Sequence, residues 1–539
     1  MANQAKCVLP CKAQAPAPAP VMEPLEARVL LSANPFNFAD VDGDQVTVRL
    51  TGPGTIAVTP DASGLQQIIL NNTDPVASAL KIGVVKKGGG NGFVNVGRIR
   101  TTHDSEGLKS LEAPTTDITC YGGDGIFIMG YLGSVKVHSL AASAHLCGYQ
   151  TTSGGQLIYY PSTLKSTVTV LGSVGDGASI IFSSQIASLT IGGNMGTGYI
   201  QAPSLGTVKI GGGFSGNIEN IFGMGSITVG GQVSGTWGTT YRSGSVGSVT
   251  IGSAANTWTV DTHNAAIKSL TCNGQMDFTS IAASALDTLT VKGGMNGVLT
   301  LKQTAAPLTL KTATIGGQVQ GGWGVSKAIG SITVGSAQGW AFTNADTTVG
   351  TLTCKGNLDV TGFFVLSIGT LDVKGDTQGG NIVFFQPVDP KKLAAKIVKV
   401  GGYVRNSIIT LGHIGSVTLG GILDGNILAG TKDTVVDLAP STLASDYLTD
   451  TGNLVKINSL TVTGKVAGFG IHNGDIIAGV LGKVVLNNVD TANAAAFGVA
   501  AVTIQSMTLK QPGDPVLHTW GKNWLANPAD EFTVKVLTV

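Results

Sequence analysis

One phrase recurs along this chain and constrains its fold more than any other feature. An apolar residue is followed by a small residue, Ser or Thr, an apolar residue, usually Thr, and an apolar residue, often closed by Gly. It reads Ile186-Ala-Ser-Leu-Thr-Ile-Gly, Leu205-Gly-Thr-Val-Lys-Ile-Gly and Met224-Gly-Ser-Ile-Thr-Val-Gly. It returns at Val246, Ile267, Leu286, Leu310, Ile329, Val349, Ile368, Ile414, Ile457 and Ile504. Looser copies at Leu108, Leu132, Lys165, Ala395 and Leu481 bring the count to eighteen. The first gaps from Ile186 are 19, 19, 22, 21 and 19 residues, which sets a period near 20.

Apolar and hydroxyl residues alternate within each copy, as in a strand with one buried face. A strand every 20 residues leaves no room for a crossover helix, so a βαβ unit is excluded. The intervening segments, such as Gly216-Asn-Ile-Glu-Asn-Ile and Gly297-Val-Leu-Thr-Leu, read as further short strands bent by Gly. A propeller blade needs about 40 residues and four strands. The expected fold is therefore an all-β, parallel, right-handed β-solenoid of about eighteen coils of roughly 20 residues, each strand pairing with its counterpart one turn away.

Composition agrees. Gly supplies 77 of 539 residues and charged residues only 12%, about half the usual charged share, so turn and strand formers dominate. Lys and Arg number 33 against 32 Asp and Glu, which implies no basic face for nucleic acid. No apolar run approaches the roughly 20 residues of a transmembrane helix. The six cysteines are too scattered for a disulfide framework. Cys272 and Cys354 fall in the inward apolar column and read as small buried hydrophobes, whereas Cys7 and Cys11 form only a weak candidate for metal or covalent attachment.

Three segments are expected. Residues 1–45 stand outside the repeat and include the stiff Ala-Pro run from Ala15 to Pro20. Residues 46–510 form the solenoid, with a polar loop insertion near 432–453 inside the 43-residue gap from Ile414 to Ile457. Residues 511–539, with Pro512, Pro515, Trp520 and Trp524, break the pattern and are expected to cap the C-terminal end.

The N-terminal segment Glu23-Pro-Leu-Glu-Ala-Arg-Val-Leu-Leu-Ser-Ala resembles the Leu-Glu-Pro-Arg-x-Leu-Leu signature of large surface proteins of planctomycetes and related bacteria. Leu25, Glu26, Arg28, Leu30 and Leu31 match, and Ala27 stands where the signature has Pro. The resemblance covers about ten residues and implies a sorting segment and a secreted or cell-surface location.

Candidate chemistry is sparse. Asp40, Asp42 and Asp44 place three carboxylates on alternate residues and could ligate calcium, although Gly43 and Thr51 do not match an EF-hand loop. The simpler reading is an acidic turn entering the strand Val46–Leu50. The loop Gly88-Gly-Gly-Asn-Gly lacks the Gly-Lys-Thr of a phosphate loop, and the seven histidines form no His-Glu-x-x-His pair. Asp372, Asp376 and Asp389 lie close in sequence without a matching base. The outward face is the most regular feature: Ser248, Thr250, Ser269, Thr271, Thr288 and Thr290 belong to two hydroxyl columns that could dock glycan hydroxyls, or simply suit a solvated sheet. Lys209, Asp372 and Lys399 interrupt them with charge, unlike a lattice-matching ice-binding face. The expected function is an exported structural or adhesive rod at the cell surface, with glycans or other surface components as partners. The alternative is a β-helix enzyme that degrades polysaccharides.

Overall fold

A computed structural model describes residues 34–536 together with Leu30–Leu31. It leaves out 62–63, 152–156, 159–162, 221, 240–243, 264, 303–307, 386–390, 431–453, 465–467, 491–496, 513, 515 and 520–531. The described residues form an all-β parallel β-solenoid of about 17 turns. Two compact units divide the chain, Met1–Thr271 and Cys272–Val539.

The first unit opens with antiparallel strands. Phe36–Ala39 pairs with Gln45–Thr51, which pairs in turn with Ala79–Val85, and Thr55–Asp61 pairs with Gly64–Asn71. Parallel stacking starts where Gly64–Asn71 meets Val94–Thr101 and Ala79–Val85 meets Leu108–Ile118. Residues 46–61, expected to begin the solenoid, therefore lie in antiparallel strands over its first turn. Their physical role is to pair strand edges that would otherwise stay open.

Beyond this cap the turns from Lys165 carry a long strand, a bridging residue and a short strand, and from Met224 onward the bridging residue is absorbed into a neighbouring strand. The long strands Gln185–Ile191, Leu205–Ile210 and Met224–Val233 carry the phrase. The bridging residues Val174, Met195, Phe214 and Val233 pair in succession. The short strands Ile180–Phe182, Tyr199–Ala202, Asn217–Asn220 and Thr236–Thr239 form the remaining side. Register is kept from turn to turn: Ile186 faces Leu205 and then Met224, while Leu189 faces Val208 and then Ile227. These six side chains are buried, the most exposed being Met224 at 4%. Each contributes about 1.5–3 kcal/mol by leaving water, an upper bound because an unfolded chain already hides some apolar surface.

Alternation is not strict within the phrase. Ile186, Leu189 and Ile191 are buried, so two residues rather than one separate the first buried pair. The small residue in that gap has a steric cause. A Cβ at Gly225 would run into the carbonyl oxygen of Gly206, and one at Gly247 into that of Gly225. Elsewhere side-chain amides tie one turn to the next: Asn194 accepts the Gly213 N–H at 2.8 Å, and Asn217 accepts that of Thr236 at 2.7 Å. Phe214, Trp237 and Trp258 fill the interior, with centroids 5.5 and 5.3 Å apart.

The second unit keeps the turn-to-turn register, with long continuous strands such as Ala328–Cys354 and Leu358–Val373. Leu286, Leu310 and Ile329 stack in register, as do Val291, Ile315 and Val334. Trp323, Trp340, Phe342 and Phe363 fill its core. The phrase strand at Ile414 pairs directly with the one at Ile457. The 43-residue gap is thus one enlarged turn, and the expected loop 432–453 lies outside the described residues. On the short-strand side, Val383, Ile409, Leu428 and Ile477 stack in register and point outward, yet stay buried beside Phe364, Phe385 and Leu454. At the C-terminal end His518–Thr519 pairs antiparallel with Leu509 and Thr508, and Phe532–Val536 adds a parallel strand to Phe497–Ala501. Trp520 and Trp524 lie outside the described residues. No described helix is long and apolar enough to cross a membrane.

Candidate functional site

The hydroxyl columns follow from register. In the first unit Thr167, Ser188, Thr207 and Ser226 face one another in succession, and beside them run Thr169, Thr190, Lys209, Thr228 and Thr250. In the second unit Thr288 faces Thr312 and Ser331, and Thr290 faces Thr314 and Thr333. Parallel pairing spaces such rows about 4.8 Å apart. Ser248 and Thr288 are exposed, whereas Thr250, Ser269, Thr271 and Thr290 are half-buried by their neighbours. Lys209 interrupts the column between Thr190 and Thr228 in the first unit, and in the second unit Asp372 faces Lys399 in the corresponding column.

The acidic triplet sits on the turn between Phe36–Ala39 and Gln45–Thr51. Gly43 takes a left-handed φ of 93°, and the Asp44 N–H donates to Asp40 Oδ1 at 2.8 Å. Oxygens of Asp40, Asp42 and Asp44 all lie within 4.8 Å of one another, close enough to share one cation. Burial raises the Asp40 carboxyl above its ordinary value, helped by a hydrogen bond with Asp42, and that same bond holds Asp42 low. Asp44 is fully buried and already satisfied: Oδ1 accepts the Lys87 N–H at 2.7 Å and Oδ2 the Gly92 N–H at 2.6 Å. Asp42 accepts the Asn91 N–H at 2.9 Å. The Gly-rich loop after Gly88 therefore cradles carboxylates of its own chain. A Cβ at Gly90 would overlap the Asp44 carboxylate, which explains glycine at that position.

The other candidates are placed as follows. Asp372 pairs with Lys374 Nζ at 2.7 Å, and Asp376 with Arg405 Nε at 3.0 Å while also accepting the Tyr403 N–H at 2.7 Å. Asp389 lies outside the described residues. So do Leu25, Glu26 and Arg28 of the sorting segment, whereas Leu30 and Leu31 form a short strand antiparallel to Ala57 and Val58. Cys7 and Cys11 are likewise outside. Cys272 and Cys354 are buried, as their column requires, and each thiol donates to the carbonyls two and three residues on.

Motif reading missed the histidine–carboxylate pairs. His138 Nδ1 meets Asp117 at 2.6 Å and His472 Nδ1 meets Asp490 at 2.7 Å. The partners are 21 and 18 residues apart, so the available signal was the solenoid period itself. Each imidazole also lies against a phenylalanine, Phe93 at 4.3 Å and Phe469 at 6.2 Å. No protein-family model matches the chain, and a search of curated proteins finds none with significant similarity.

Proposed function

We propose that this chain is an exported, surface-associated structural solenoid whose Ser/Thr face contacts glycans. The observation that carries the reading is the register of the hydroxyl columns, kept through successive turns of both units. Aligned hydroxyls about 4.8 Å apart offer donors and acceptors at regular intervals to a chain that itself bears hydroxyls. The N-terminal resemblance around Leu25–Leu31 supports export to the surface. The engagement of Asp372 by Lys374 and of Asp376 by Arg405 favours structural pairing over paired-carboxylate hydrolysis.

Three measurements test this. Fractionation of the native cell should recover the chain at the surface or in the medium, and a purely cytosolic pool overturns the location. Substituting Lys for Thr228, Thr250 and Thr290 should preserve the fold and weaken adhesion to isolated cell-wall glycan at least several-fold. Unchanged adhesion means the face is merely solvated. Incubating the protein with a panel of surface polysaccharides should release no reducing ends or unsaturated products; release of either supports the enzymatic alternative.

A further inference from the structure

The second unit carries an aromatic and polar cluster apart from the hydroxyl face. Tyr403 and Val404 end the strand Ala395–Val404, in register with Gly421 and Ile422 on the next turn, and Arg405 follows directly at its exit. Ile422 and Leu423 pair in turn with Ile471 and His472. Gly421 gives Tyr403 room: a Cβ there would lie 2.7 Å from the ring, so the ring lies along the column. At its far end the tyrosine hydroxyl reaches Gly468, where a Cβ would lie 2.9 Å away. The next residue is Phe469, 44% exposed and stacked at 17° on His472. Arg405 lies over the face of the tyrosine ring, its guanidinium 5.3 Å from the Tyr403 ring centre.

Charge within the cluster is compensated in pairs. Asp376 holds Arg405 at 3.0 Å, and Asp490, only 4% exposed, holds His472 Nδ1 at 2.7 Å. Each pair fixes its partner's orientation while leaving much of that partner in contact with solvent: the Arg405 side chain is 39% exposed and that of His472 31%. The result is one exposed ring, Phe469, beside the half-buried Tyr403 and His472 and flanked by oriented planar hydrogen-bonding groups, with no uncompensated cation among these residues.

We propose that Tyr403, Arg405, Phe469 and His472 form a binding site for a neutral pyranose oligosaccharide. The axial C–H face of a pyranose packs on an aromatic ring, and vicinal hydroxyls accept from a guanidinium or imidazole held in plane. The paired charges disfavour a uronic acid chain, whose carboxylates would face Asp376 and Asp490 as well as the cations. This site goes beyond the hydroxyl face and stands without it.

The test is calorimetric titration of the full chain with cellohexaose, mannohexaose, xylohexaose and hexagalacturonate. At least one neutral hexasaccharide should bind, and hexagalacturonate should bind at least tenfold more weakly. Phe469→Ala and Arg405→Ala should each weaken the neutral ligand roughly tenfold or more, as loss of a central aromatic or arginine contact does. Phe469→Tyr should retain affinity. Thr250→Lys and Thr290→Lys should leave it unchanged, which separates this site from the hydroxyl face. Phe469 is exposed, so its removal should not alter the far-ultraviolet circular dichroism, and that measurement guards against misfolding. Failure of all three neutral probes, equal binding of hexagalacturonate, or full affinity in Phe469→Ala and Arg405→Ala each overturns the proposal.

Discussion

At the scale of single residues, polar groups are aimed at the backbone. Cys272-Asn-Gly-Gln and Cys354-Lys-Gly-Asn share one local arrangement in which the thiol turns back onto the corner carbonyls. Burial pushes the Cys354 thiol from 9.0 up to about 11. Its proton is therefore held more tightly in the folded chain than in the unfolded one. The stability this provides is complete below the unfolded value and is lost as pH rises from about 9 through about 11. Folded protein at pH 8 should leave Cys354 unmodified by a thiol reagent for hours, and denaturant should release it; rapid native labelling contradicts the buried geometry. Asp44 is the second case. Asp44→Ala strands the amides of Lys87 and Gly92, at about 1–3 kcal/mol each. Thermal unfolding should fall in that variant with or without calcium. If the triplet does hold calcium, a chelator should lower the wild-type midpoint and leave Asp42→Asn unmoved.

At the scale of the element, the phrase is a rule for stacking. Its apolar positions fill the interior and its hydroxyls remain outside, and where its second residue is glycine, as at Gly225 and Gly247, the neighbouring turn's carbonyl lies where a Cβ would be. The steric argument at Gly225 gives a clear contrast. Gly225→Val should lower the unfolding free energy measured by urea titration by an amount comparable to a core truncation, about 2–5 kcal/mol. The exposed neighbour Thr228→Ala should change it by no more than about 0.5 kcal/mol. Equal effects at the two positions would show that the phrase is tolerant and that its glycine is incidental. The same logic explains the outward apolar column from Val383 to Ile477: register alone aligns these side chains, and their burial shows that neighbouring chain covers them.

At the scale of the whole molecule, a repeating ladder has to be stopped. Antiparallel strands over residues 36–61 pair the first edges, and His518–Thr519 lies antiparallel to the last phrase strand. Deleting residues 1–61 should leave Gly64–Asn71 and Ala79–Val85 with open edges. Light scattering should then show self-association that grows with concentration, while the full chain stays dispersed. A monodisperse deletion variant would mean these strands contribute stability but do not block pairing.

Period and alternation are properties of the linear chain, and they specified the all-β class, the turn length and the inward columns from Leu189 to Val208 to Ile227. A one-period spacing such as His472 to Asp490 was legible in principle, since residues one turn apart become vertical neighbours. Contacts that do not follow the period were invisible. Asp44 meets Lys87 and Gly92 because an antiparallel hairpin folds across the first turn, and no local pattern encodes that return. Tyr403 reaches Gly468 because Gly421 leaves space between them and one turn carries a long excursion. Strand chemistry repeats with the chain and can be read from it; the caps, corners and enlarged turns bring together residues at irregular separations, and only the folded backbone sets those distances.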